Sequence, residues 1–125
     1  MNAEPRTAVV KVLVTKTLEV DEPVWCTDPH DRAQFKPDIT HNGPEIAASV
    51  ETGIGTAQYL RAWLTQAPYG ILAPEPQPLI AVDLGGYIAS FDPDMLRNFT
   101  ASARIHLAQL DALADTVEDL RGGGQ

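Results

Sequence analysis

The sequence predicts an α+β fold, with a small antiparallel sheet of about four to five strands packed by one long C-terminal helix. Several short stretches before residue 92 are rich in β-branched and aromatic residues, as strands are. A diglycine stands between two apolar stretches, and an Asp-Pro-Asp sequence precedes a long heptad pattern. The 125 residues suit a single domain over residues 1–125, whose ends, 1–6 and 121–125, we expect to be flexible.

Three stretches before residue 79 are predicted to be strands. Ala8–Thr15 is rich in β-branched residues and predicts a well-buried strand, whose alternation extends through Leu18 and Val20. Glu45–Thr52 alternates more weakly and predicts a second strand. Thr56–Ala67 fits either a strand or a helix, and a strand is favoured because Tyr, Trp and Thr suit a pleated surface.

The diglycine predicts a β-hairpin. Leu79–Leu84 and Tyr87–Phe91 flank Gly85-Gly86, and glycine supplies the positive φ that two-residue hairpin turns require. The two flanking stretches should therefore pair antiparallel around this turn.

The last quarter of the chain predicts a helix from about Pro93 to Leu120. Asp92 suits the N-cap and Pro93 the first helical position, and glycines at 122–124 suit the end. Apolar or semi-apolar residues recur at heptad spacing: Leu96, Phe99, Ala103, His106, Leu110, Leu113, Val117 and Leu120.

The second half of this helix is predicted to be an interface. A helix of that length is about 42 Å long, roughly twice the span of a short strand, so its end extends past the sheet. Leu110, Leu113, Val117 and Leu120 then need another partner, either a second copy in a homodimer or a different protein. The alternative is a helix that frays early. His106 is expected to pack or to lie in the interface.

Residues 21–44 form a long polar, proline-rich loop that contains the only cysteine and two of the three histidines. A loop of this length is unusual in a small domain and is commonly functional or cross-linked. Thiolate, imidazole and carboxylate are zinc ligands, so we predict a zinc site formed by Cys26, His30, Asp38 and His41. The binding free energy of the metal would order a loop that buries little apolar area.

Two other interpretations of these residues stay open. Cys26 can pack beside Trp25 as a small hydrophobic residue, with the histidines hydrogen-bonded to the loop backbone. Alternatively, Cys26 could be the nucleophile of an enzyme, with His41 as base and Asp38 as orienting group. Two aspartates close to Cys26 in sequence disfavour a reactive thiolate, and no nucleophile motif surrounds it.

Composition limits the class of partner. With 17 acidic and 9 basic residues the net charge is −8 and the isoelectric point is near 4.6, which disfavours binding to nucleic acid. An acidic protein that mimics nucleic acid stays an alternative. No stretch has the apolar length of a signal peptide or of a membrane span, and a single cysteine fits a reducing compartment. We therefore expect a cytoplasmic protein that binds neither nucleic acid nor membranes.

The motif WC…H…DxxHxGPE resembles that of a family of small actinobacterial proteins known only as a domain of unknown function. The resemblance covers about residues 25–120, and one position differs, since Pro29 stands where an acidic residue often precedes the first histidine. It implies that the loop is important without implying an activity. We therefore predict a non-enzymatic protein-interaction or regulatory domain. The motif residues are Trp25, Cys26, His30, Asp38, His41, Gly43, Pro44 and Glu45.

Overall fold

The computed structural model describes residues 4–72 and 74–123 and has the predicted α+β fold. A five-stranded antiparallel sheet is followed by one long helix that packs on it. A short 3₁₀ helix, Lys36–Asp38, precedes the sheet. The remaining elements are β1 (His41–Asn42), β2 (Ile46–Thr52), β3 (Gly55–Ala67), β4 (Glu75–Asp83), β5 (Ile88–Phe91) and α1 (Pro93–Gly122).

The long strand β3 organises the sheet. It pairs with β1 and β2 along one edge and with β4 along the other, and β5 pairs with the far edge of β4. The register of β2 shifts between Ile46 and Ala48, opposite Leu60, whose φ of +51° marks a β-bulge. The predicted strands at Glu45–Thr52 and Thr56–Ala67 are confirmed.

The predicted hairpin is also confirmed. Ile80 pairs with Phe91 and Asp83 with Ile88, and the Leu84 N–H donates to the Tyr87 carbonyl at 2.9 Å. Of the two glycines, Gly85 has a positive φ, +93°. This matches a turn that requires positive φ only at its first central residue.

The helix begins where the sequence predicts and extends two residues further, to Gly122. The Asp92 carboxylate accepts a hydrogen bond from the Met95 N–H at 2.8 Å, which caps the first turn. Phe99 packs against Phe91 with ring centroids 5.5 Å apart. Every described residue after Ala103 is exposed. No helix within residues 4–72 and 74–123 is long and apolar enough to cross a membrane.

The apolar core is small for a chain of this length. In the described part of the chain, the buried apolar side chains are Ala62, Ala81 and Val82, where β3 meets β4. Two polar residues, His41 and Thr65, are buried with them. Apolar burial alone therefore contributes little to the stability of this single chain.

The predicted buried strand at Ala8–Thr15 is wrong for the single chain. Residues 4–20 have no regular secondary structure, and Val9 and Leu13 are 100% and 95% exposed. A strand needs a neighbour for its backbone groups and a surface for its side chains, and this segment has neither. The expectation of flexible ends falls in part on residues 1–3 and 124–125, outside the described residues.

We predict that Gly85→Ala destabilises the protein and that Gly86→Ala does not. A Cβ has open space at both positions, so the two substitutions differ in backbone strain, which arises at the positive φ of Gly85. The expected loss for Gly85→Ala is about 1–2 kcal/mol of unfolding free energy. Urea denaturation measures it, and equal stability of the two variants would show that the turn is not under this constraint.

Candidate metal centre

Two backbone hydrogen bonds fix the cysteine beside the sheet. The Cys26 N–H donates to the Pro23 carbonyl at 3.0 Å, which closes a tight turn. The next residue, Thr27, donates its N–H to the Asn42 carbonyl at 2.9 Å. The start of the loop is thereby attached to β1, the strand that carries His41.

His30 occupies a strained backbone conformation. Its φ of +60° lies in the left-handed region, which non-glycine residues adopt only at a cost of roughly 1–2 kcal/mol. The Asp28 carboxylate accepts the His30 N–H at 2.8 Å and stabilises this turn. The turn places His30 Nε2 at 3.7 Å from Cys26 Sγ and at 2.7 Å from Glu22 Oε1.

Four side chains converge at this point. Glu22, Cys26, His30 and His41 each offer one ligand atom, and these atoms all lie within 4.8 Å of one another. The structure thus brings together three of the four predicted ligands. A mixed set of one thiol, two imidazoles and one carboxylate is suited to holding a metal ion.

Asp38 does not belong to this group. The carboxylate of the group is that of Glu22, where the sequence predicted Asp38 as the ligand. Asp38 ends the 3₁₀ helix and lies in a neighbouring polar depression with Arg32 and Thr40. Asp38 precedes His41 by three residues, and this spacing suggested a shared site. However, the chain leaves the 3₁₀ helix in an extended conformation at Ile39, so the two residues do not lie on one helical turn. One feature of the sequence could have indicated Glu22, since it precedes Cys26 by four residues as His30 follows it by four.

His41 is the most deeply buried large side chain in the described part of the chain, at 2% exposure. Its ring meets those of His30 and Trp25 edge to face, with centroids 5.3 and 6.5 Å away. Its Nδ1 is buried without a hydrogen-bond partner among the described residues. A buried nitrogen with no partner is costly, so this atom is well placed to receive a ligand.

Hydrogen bonds within the cluster shift the pKa of Glu22 and the pKa of Cys26 in opposite directions. Burial raises the pKa of the Cys26 thiol, and the hydrogen bond to Glu22 raises it further. The hydrogen bonds from Cys26 and His30 lower the pKa of Glu22. Backbone N–H groups of Asp28 and Asn42 oppose the rise at Cys26. These two N–H groups would stabilise the thiolate that a metal requires.

The chain belongs to the family described as a domain of unknown function, DUF6907. The family model matches residues 7–119. No curated protein and no solved structure matches the chain. The match includes the exposed segment at Ala8–Thr15 and nearly all of α1, so both are parts of the DUF6907 domain itself.

A hydrogen-bonded chain links the cluster of this DUF6907 domain to its sheet. Asn42 donates from Nδ2 to the Asp28 carboxylate at 2.9 Å and accepts from the Thr65 hydroxyl at 3.0 Å. The bond from Asn42 is the main reason that the pKa of Asp28 is lowered. Asp28 also holds the turn at His30. Through these contacts the position of His30 depends on the buried part of β3.

Gly43 lets the tryptophan of the loop approach the sheet. A Cβ on Gly43 would lie 3.2 Å from the Trp25 carbonyl oxygen and 3.6 Å from the Leu64 Cβ. The Gly43 N–H donates to the Leu64 carbonyl at 2.9 Å, so the backbone has little freedom to move away. Any larger residue at 43 would push Trp25, and with it the adjoining Cys26, from the sheet.

We predict that Gly43→Ala destabilises the protein by about 1–3 kcal/mol, the usual cost of an added methyl group in a tight space. Gly53→Ala is the matched control, because a Cβ there meets nothing within 4 Å. Thermal unfolding of the two variants checks the difference. If both unfold at the temperature of the original protein, Trp25 is not held against Gly43 as described.

Proposed function

We propose that this DUF6907 protein is a non-enzymatic protein-interaction or regulatory domain whose loop is held in place by one zinc ion. The ligands would be Cys26, His30 and His41, with Glu22 as the fourth. The observation that carries the proposal is that these four side chains each place one ligand atom within 4.8 Å of the others, and that the buried His41 among them has an Nδ1 without a partner in the described part of the chain.

The donor set favours zinc over magnesium and calcium. Zinc accepts sulfur, nitrogen and oxygen together, whereas magnesium and calcium require oxygen ligands. In a tetrahedral zinc site the ligand atoms lie about 3.3–3.8 Å apart, as follows from bond lengths of 2.0–2.3 Å. The Cys26–His30 separation of 3.7 Å is within that range, and Glu22 and His30 would separate slightly from their 2.7 Å hydrogen bond.

A structural role explains why the loop folds. Val24 and Phe35 of the loop are exposed, so the loop buries little apolar surface, and the buried core of the sheet is small. Apparent zinc-binding free energies of about 10–16 kcal/mol in small zinc-finger peptides show how much a metal can contribute to folding. A metal here would order the backbone from Glu22 to His41, including the strained turn at His30.

The chemistry of Cys26 supports a structural site more than a nucleophile. Reactive cysteines have lowered thiol pKa values, whereas burial raises the pKa of Cys26. Four protein ligands would also leave no open coordination position for a substrate, unlike the three of most catalytic zinc sites. A thiolate ligand is best preserved where thiols stay reduced, which favours the cytoplasm.

The proposed interaction surface is the exposed apolar stripe of α1. Leu110, Leu113, Val117 and Leu120 recur at heptad spacing and are all exposed in the single chain. A stripe of this kind is typical of a helix that packs against a partner. The metal-ordered loop and the sheet would then serve as the scaffold that presents this helix.

We predict that the purified protein binds one zinc ion per chain and that removal of the ion lowers its unfolding temperature. Elemental analysis measures the stoichiometry, and thermal unfolding with and without a chelator measures the stabilisation. Zinc affinity should fall as the pH is lowered, because the metal must displace the proton of a thiol whose pKa is raised. A protein that binds no zinc and is unaffected by chelator would contradict the proposal.

A second prediction separates Glu22 from Asp38 as the carboxylate ligand. Glu22→Gln should weaken zinc binding about 10- to 100-fold or more, as loss of a ligand-shell group does, while Asp38→Asn should have little effect. Cys26→Ser should abolish the thiolate-to-metal charge-transfer band of the Co²⁺-substituted protein. His106→Gln is the control histidine variant, since His106 lies on α1 and outside the four-residue cluster. Equal losses for Glu22→Gln and Asp38→Asn would contradict the ligand set.

A further inference from the structure

We propose that the partner of the α1 stripe is the same stripe of a second copy of this chain, and that the two helices pack antiparallel over their free halves, residues 106–122. This inference rests on the interaction role proposed above and names its partner. Two observations support it: the sheet covers only the beginning of the helix, and the helix carries its carboxylates on another face.

The sheet covers only the first half of the stripe. The helix packs on β4 and β5 through the half-buried residues of its first three turns: Leu96, Phe99, Thr100 and Ala103. The stripe continues at the same heptad positions into the free half, where Leu113 and Leu120 are 61% and 70% exposed. The free half therefore presents about 25 Å of helix whose apolar face is exposed in the described chain.

The carboxylates of the free half point away from this face. At about 100° per residue, its four acidic residues all lie about 120–180° from the centre of the stripe: Asp111, Asp115, Glu118 and Asp119. The chain has a net charge of −8, so two copies repel each other wherever their carboxylates meet. Contact through the stripe avoids such meetings.

The positions directly beside the stripe carry no charge before the last turn of the helix. They are Leu107, Gln109, Ala114 and Thr116, followed by Arg121 at the end. Charged residues at these positions are what selects one partner helix over another in a heptad pairing. A neutral border fits a partner face that is itself apolar and neutral, and the same stripe on a second copy has both properties.

The position of the sheet decides the direction of the second helix. In a parallel pair, the first halves of both helices would need the face that each sheet already occupies, so the two sheets would collide. In an antiparallel pair only the free halves overlap, and each sheet lies beyond the end of the partner's helix. The two Arg121 side chains then stand at opposite ends of the contact and do not repel each other.

Heptad spacing also gives the register. Pairing Leu110 with the partner's Leu120, and Leu113 with the partner's Val117, brings the four stripe residues of both copies into one contact. The partner's helix then ends opposite Ala108, about 7 Å along the axis past Ala103, and clears the sheet. The arrangement has twofold symmetry, the commonest symmetry of homo-oligomers.

Sedimentation equilibrium of the full chain as purified tests the association. The expected mass is twice the chain mass of 13.5 kDa. Leu113→Asp with Val117→Asp should raise the dissociation constant about 100-fold or more, because it buries unpaired charges in the contact. Ala108→Asp, on the face of the helix away from the stripe, is the matched control and should remain a dimer. Circular dichroism of each variant checks that the helix is retained.

Two cysteine variants test the direction without adding charge. In the antiparallel dimer Leu113→Cys of one copy faces Val117→Cys of the other, whereas in a parallel dimer each substituted position faces itself. Mild oxidation of an equal mixture should therefore link one variant to the other, and oxidation of either variant alone should give little linked dimer. The unmodified protein, whose one cysteine is Cys26, is the control.

The outcomes are distinct. A monomer at every concentration overturns the proposal, and so does a dimer that withstands Leu113→Asp with Val117→Asp. Cysteine variants that link to themselves rather than to each other overturn the antiparallel arrangement. Zinc content measured on the same samples separates this inference from the proposed metal site, since a metal-free dimer contradicts only the zinc site and a zinc-loaded monomer contradicts only the dimer.

Discussion

The burial of His41 is the constraint on which the rest of the structure depends. In most small domains the most buried large side chain is apolar, whereas here it is an imidazole beside a core of small apolar residues. An imidazole nitrogen buried without a partner opposes folding, and the same nitrogen bound to a metal favours it. The fold is therefore built around a polar centre, and its stability should depend on what occupies that centre.

Short-range contacts connect the cluster to the sheet, so the sheet also depends on the burial of His41. His41 and Asn42 are the two residues of β1, so one side chain serves the cluster while the other connects Asp28 to Thr65 on β3. Gly43 follows directly and admits Trp25. These three consecutive residues connect the strand to the cluster, to Asp28 and to Trp25. Displacement of the loop would therefore disturb the strand as well.

Elements encoded by neighbouring residues could be predicted from the sequence, and those encoded by distant contacts could not. Gly85 and Asp92 act through their own turn and helix cap, so the hairpin and the helix were correctly placed. The composition of Ala8–Thr15 favours a strand, but a strand also needs a neighbour, which composition does not reveal. Glu22 was missed because its approach to His30 depends on a left-handed turn at a residue type that seldom adopts one.

The loop also couples the metal centre to the chain that precedes it. Leu18 and Val20 line one shallow depression together with His30, Phe35 and Ile39, so a metal that orders the loop would also restrict residues 18–20. Side chains that contact an ordered loop lose part of their own conformational freedom. Removal of zinc should therefore loosen the chain at Leu18 and Val20, and by thermodynamic linkage a change that loosens these residues should weaken zinc binding by the same factor.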